Sequence, residues 1–261
     1  MATILPPGPH LISSAERRIN VQQIAQRLRL HYGTDLLAFG VYGSLSRSSD
    51  GPFSDIEMHC ILQGEHIDTS LEWTTGPWKA EVDIYSPDVI LARASEIDGD
   101  WPITHSQFTG VWILHDPTRL FPRLEALARS HPEAVFDQVI TEVIVGDIYE
   151  LVGKVRNAHF RQETASLPFY TMLLARSAAC LLGLANQHLF TSSSNLFTES
   201  LELPNHPAGY DALCQAVIHG ELADPQKNVL FVEDFWHGVI TWAIHRRLEV
   251  ETTLERLLSD G

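Results

Sequence analysis

The chain has 261 residues, of which 44% are apolar and 20% charged, enough length and apolar content for one large globular domain or two of ordinary size. Its 18 Lys and Arg stand against 33 Asp and Glu, a formal charge of −15 that repels polyanions and argues against a general nucleic-acid binder. The same excess attracts a polycationic small molecule, or serves solubility alone. Cys60, Cys180 and Cys214 are odd in number and set among apolar neighbours, which fits reduced, buried thiols. No apolar run reaches a membrane-spanning length, and MATILPPGPHLISSAERRIN lacks the basic segment and apolar stretch of a signal peptide, so a cytoplasmic protein is expected.

Pro6, Pro7 and Pro9 forbid an early helix, after which Ser13-Ser14 can cap a helix over 14–32 with Ile19, Ile24, Leu28 and Leu30 at roughly helical spacing. Gly33 ends it. The run Leu36 to Tyr42 is short and apolar, as in a buried strand, and feeds directly into Gly43-Ser44. A polar stretch with Asp50-Gly51-Pro52 follows, and then an alternating strand over 55–62. Further strands are expected at 78–85 and 110–114, with a helix over 87–97 between them. Beyond Pro117 the pattern becomes helical, over 118–130, 132–158, 166–186, 208–219 and 226–248. The predicted fold class is α+β: a mixed sheet with helices over residues 1–116, then a helical bundle over 117–261.

On a strand, Asp55 and Glu57 project from one face, and two adjacent carboxylates repel each other unless a cation lies between them. Glu81, on another predicted strand, can add a third oxygen, and an all-oxygen set favours Mg²⁺ over zinc. Alone, an Asp-x-Glu pair is also what an ordinary exposed strand face produces. Its context is more specific, because Gly43 permits close backbone approach and Ser44 adds a hydroxyl, a combination suited to triphosphate oxygens. Arg47 could neutralise a phosphate or simply face solvent. In the helix over 132–158, Asp147, Glu150 and Lys154 fall inside the apolar stripe of Phe136, Val139, Ile140, Val143, Ile144, Ile148, Leu151 and Val155. Charges there signal either function or an i,i+4 Glu150–Lys154 ion pair.

A strand, Gly-Ser, ten residues, Asp-hydrophobic-Glu and a later strand carboxylate together resemble the DNA polymerase β nucleotidyltransferase superfamily. Within it, GVYGSLSRSSDGPFSDIEM, EWTTGPWKAEV, DWPITHSQF, YELVGKVRN and GYDALCQ are similar to the aminoglycoside 4′-O-nucleotidyltransferases of the kanamycin nucleotidyltransferase family, over nearly the whole chain. The resemblance implies a bacterial resistance enzyme that moves AMP from ATP to the 4′-hydroxyl of kanamycin, tobramycin or amikacin and releases pyrophosphate. It implies Mg²⁺ on Asp55 and Glu57, nucleotide against Gly43, Ser44, Arg47, Lys154, Ser192 and Ser194, and Glu150 as catalytic base with Lys154 beside it. Substrate contacts fall to Glu57, Glu72, Lys79, Glu81, Asp100 and Glu150, in a homodimer whose sites are shared between subunits. Helix capping explains Ser192 and Ser194 equally well.

The chain departs from the family at Ser46, where a glycine is usual, and at Gly146, where a glutamate occurs; the second change bears on antibiotic range. Two other readings stay open: transfer to another acceptor, such as a lincosamide or a protein hydroxyl, and a non-catalytic partner protein of the same fold. No G-x-x-x-x-G-K-[ST] or G-x-G-x-x-G is present, the histidines show no metal-ligand spacing, and Phe235, Trp236 and Trp242 read as packing.

Overall fold

A computed structural model describes residues 8–259. The chain forms two compact units, one comprising residues up to Glu96 with His105–His131, the other Ile97–Thr104 with residues from Pro132 onward. The single cut after residue 116 read from the sequence does not follow this division. Trp101 is buried edge-on against Phe136 at 5.0 Å, and the carbonyl of Pro102 accepts from the Phe190 amide at 2.7 Å, which ties the short segment to the helical unit.

In the first unit, α1 (Ser14–Tyr32) starts with a capping box: Ser13 accepts from the Glu16 amide while Glu16 reaches back to the Ser13 amide. Its buried stripe is Arg17, Val21, Ile24, Ala25 and Leu28. Ile19 and Leu30, expected to face the core, are exposed instead. Strand β1 (Leu36–Tyr42) leads into the single turn α2 (Gly43–Ser46), and β2 (Ile56–Leu62), β3 (Asp68–Thr74) and β4 (Lys79–Tyr85) follow. Next come α3 (Pro87–Ser95), β5 (Trp112–His115) and α5 (Leu120–Arg129), with the short turn α4 (Trp101–Thr104) belonging to the second unit.

Among the described residues the sheet has five strands in the order β3-β4-β2-β1-β5, with β2 and β4 parallel and the other pairs antiparallel. The mixed sheet is as expected, but β3 is an additional strand. Every residue of it but Trp73 is exposed, so the apolar alternation that marks a half-buried strand is missing. One sheet face packs Met58, Ile56 and Val82 under Ile24 and Leu28 of α1. The other packs Ile61 and Tyr85 with Ile90 of α3 and Phe121 and Leu124 of α5.

The second unit is helical. Following α6 (Glu133–Val143), the π-helical segment Ile144–Ile148 leads into α7 (Tyr149–Phe160), then α8 (Leu167–Ala185), α9 (Leu196–Glu202), α10 (Tyr210–Ile218), α11 (Pro225–Arg246) and α12 (Leu254–Ser259). Segment 164–185 is apolar and long enough to cross a membrane by composition alone, yet α8 is the central core helix, with Leu174, Ala178, Leu181 and Leu182 fully buried.

Candidate active site

The acidic cluster of the first unit forms where β1, β2 and β4 end together. Antiparallel pairing sets Tyr42 opposite Glu57, parallel pairing sets Glu57 opposite Glu81, and β3 sets Glu72 opposite Glu81. Residues directly opposite share a sheet face, so three carboxylates align across three strands, with Asp55 just ahead of β2. Gly43 has φ 72°, and a Cβ placed on it would collide with the Glu57 carboxylate. Glycine is therefore required twice over, by conformation and by contact. The loop back to Asp55 is fastened by Arg17, which is 1% exposed. Its guanidinium meets Asp50 at 2.5 Å and donates to the carbonyls of Gly51 at 2.5 Å, Ser54 at 2.8 Å and Ile12 at 3.1 Å.

Burial, then the charges of Asp55 and Glu81, push the Glu57 carboxyl up to about 7, against a smaller opposing effect of Arg47. Burial and Asp83 likewise raise Glu81. Lys79 answers part of this charge: its Nζ lies 2.5 Å from Glu72 Oε1 and 4.0 Å from both Asp55 Oδ2 and Glu81 Oε2. Its hydrogen bond to Glu72 holds the ammonium above its usual range. The cluster thus already seats one ammonium among three carboxylates. Behind it, Tyr42 donates to Asp83 at 2.7 Å and stacks on His59 at 4.2 Å. Complete burial lowers the His59 imidazole to about 4, so it is a neutral core residue.

Among the described residues no three His, Cys, Asp or Glu side chains are arranged to hold a metal ion by themselves. Asp55 and Glu57 fit Mg²⁺ nonetheless, because that ion commonly takes one or two protein carboxylates and completes its shell with phosphate oxygens and water. A carboxyl raised by burial and then by its acidic neighbours is also one that a cation would relieve.

The second unit carries its own polar cleft of about 440 Å³, lined by Asp98, Asp100, Asp147, Glu150, Lys154 and Arg176 among others. Glu150 pairs with Lys154 at 2.7 Å and Asp100 with Arg176 at 2.9 Å. Burial, Asp100 and Glu150 together raise Asp147. Asp147, Glu150 and Lys154 are exposed on the rim of the apolar stripe, not within it as the sequence spacing suggested. The π-helical segment takes up an extra residue, which slips the helical phase by roughly a quarter turn relative to an unbroken α-helix. A Cβ at Gly146, inside that segment, would meet only open space.

Of the residues picked out by sequence, Gly43, Ser44, Asp55, Glu57, Glu72, Lys79 and Glu81 gather around the first cluster, and Asp100, Glu150 and Lys154 around the second. Ser192 instead accepts from the Asn195 amide at 3.2 Å and caps the turn Ser193–Asn195 that contains Ser194. Arg17, Asp98 and Arg176 were not foreseen. Arg17 had a visible signal, since 17, 21, 24 and 28 share one helical face on which only Arg17 is charged.

The family described as KNTase C-terminal domain matches residues 118–249. The aminoglycoside nucleotidyltransferase (4′) of Staphylococcus aureus is 39% identical over 235 residues, covering 90% of this chain and 93% of its own. The protein of the same name from a Bacillus species gives the same identity and coverage. A nucleotidyltransferase-like protein from Exiguobacterium sibiricum is similar in structure over 88% of this chain and 79% of its own, at 14% identity and a TM-score of 0.44, too loose a likeness to bear on the site.

Proposed function

The chain belongs to the family of aminoglycoside nucleotidyltransferases (4′), and from that premise we propose that it transfers AMP from ATP to the 4′-hydroxyl of a kanamycin-, tobramycin- or amikacin-type aminoglycoside, releasing pyrophosphate and inactivating the drug. The observation that carries the substrate class is the ammonium of Lys79 seated among Asp55, Glu72 and Glu81. A surface that accepts one ammonium in this way suits the amino groups of a polycationic sugar. A lincosamide or protein hydroxyl would not call for such a cluster.

In this reading Asp55 and Glu57 hold Mg²⁺, which when bound supplies neutralisation of triphosphate charge. Gly43, having no side chain, lets the Glu57 carboxylate lie against the backbone beside Ser44, and Ser44 and Arg47 contribute a hydroxyl and a positive charge to the nucleotide phosphates. Glu150 accepts the proton of the attacking hydroxyl, with Lys154 holding its carboxylate in place and offsetting charge on the phosphoryl oxygens. Glu72, Glu81 and Asp100 meet the drug's ammonium groups. Two copies of the chain share each site, the acidic cluster of one facing Glu150 of the other, and the enzyme works in the bacterial cytoplasm where ATP is supplied.

Incubation of the protein with ATP, Mg²⁺ and kanamycin should release pyrophosphate and add the mass of one AMP to the drug, and binding should weaken as salt rises. Absence of turnover with every aminoglycoside bearing a free 4′-hydroxyl would overturn the reading, as would equal turnover of a lincosamide.

A further inference from the structure

On the face of the sheet opposite the acidic cluster, α1 leaves the outer strand β3 uncovered, and a cleft of about 580 Å³ opens between them. Its walls combine the half-buried rings of Trp73, Trp78 and Tyr32 with the side chains of Gln23, Arg27 and His31 from one edge of α1. The two indoles meet edge to face at 6.4 Å. The volume falls within the range of small-molecule sites, which are mostly apolar with a few placed polar groups.

The charge of this cleft runs against that of the chain. Among the described residues that line it there is no Asp or Glu, although the protein carries a formal charge of −15. Arg27 is permanently charged, and among the described residues it has no carboxylate partner, whereas other arginines of the same unit are committed: Arg17 to Asp50 and Arg93 to Asp68. Strand alternation keeps the site apart from catalysis, since Leu71, Trp73 and Val82 point to the α1 side while Glu57, Glu72 and Glu81 point to the other.

We propose that this cleft is a second ligand site, for a small planar aromatic anion whose rings lie against Trp73 and Trp78 and whose carboxylate or sulfonate meets Arg27. Ring contacts supply the apolar part of the affinity and the guanidinium supplies the choice of charge. Aminoglycosides are excluded by that same charge.

Naphthalene-2-sulfonate and its cationic counterpart 2-naphthylmethylammonium provide the test, titrated into the intact protein and followed by tryptophan fluorescence and calorimetry. The anion should bind saturably at one site per chain and at least tenfold more tightly than the cation. Arg27→Gln should weaken the anion about tenfold, and Trp73→Leu severalfold, with far-UV circular dichroism and nucleotidyl transfer to kanamycin unchanged in Arg27→Gln. Equal affinity for the two probes, an Arg27→Gln variant that binds the anion as wild type does, or no saturable binding at millimolar probe would each overturn the proposal.

Discussion

The carboxylate of Glu57 lies where a side chain on residue 43 would have to begin, so Gly43 and Glu57 form a pair in which the acid is placed by what the glycine lacks. Residue 43 also sits at φ 72°, where an L side chain adds strain of roughly 1–2 kcal/mol. Gly43→Ala should therefore displace Glu57 and lower kcat by about a hundredfold, since a misplacement on the order of 1 Å can cost that much. Steady-state kinetics alongside circular dichroism checks it, and a folded Gly43→Ala variant within threefold of wild type would show that the pair is not needed for turnover.

A raised Glu57 carboxyl has a consequence for stability in the metal-free protein. Its pKa rises on folding from 4.5 to about 7, so as pH increases the unfolded chain gives up this proton first and stability falls across that window. Glu57→Gln removes the penalty. In EDTA the variant should be about 1–3 kcal/mol more stable than wild type at pH 8, with the advantage gone near pH 4, while transfer activity is lost. Urea unfolding at the two pH values decides it; a variant less stable at pH 8 would mean that burial and the acidic neighbours do not raise Glu57 in the folded protein.

Arg17 and Asp50 form an ion pair with side chains 1% and 3% exposed. Removing one member leaves the other buried without its partner, so Arg17→Met should cost about 3–5 kcal/mol. Because Arg17 also anchors the Gly51 and Ser54 carbonyls ahead of Asp55, surviving folded protein should lose activity as well. Urea unfolding curves of the two proteins, extrapolated to water, measure the first effect, and a loss under about 1 kcal/mol would contradict the account.

Glu150 is exposed and, among the described residues, its ion pair is with Lys154 of its own helix, so Glu150→Gln should leave the unfolding midpoint essentially unchanged. If it is the general base, kcat should fall by about 10²–10⁴ and the acidic limb of the pH–rate profile should disappear. A fall in activity with that limb intact would assign Glu150 to binding.

Much of the first cluster was legible because strand periodicity is local. Once 36–42, 55–62 and 78–85 read as strands, Asp55, Glu57 and Glu81 were marked as carboxylates ready to meet, and the Gly-Ser ahead of them said where a phosphate could approach. Strand β3 escaped notice because edge strands need not alternate, and with it went the pairing that brings Glu72 and Lys79 into the cluster. In the helical unit the stripe Phe136 to Val155 was read correctly as core. The place of Asp147, Glu150 and Lys154 was not, because a constant 100° per residue does not survive a π-helical turn.

The sequence by itself determined the α+β order, the glycine and carboxylates at the ends of β1 and β2, and the acidic balance that suits a cationic substrate, since each depends on residue chemistry and short-range spacing. Only the tertiary structure decided that Glu57 packs onto Gly43, that Lys79 sits among three acids, and that Arg17 pins the loop between them. Those facts depend on strand register and on which residues far apart in the chain become neighbours, and burial then sets the charge of Glu57 by stripping water from it.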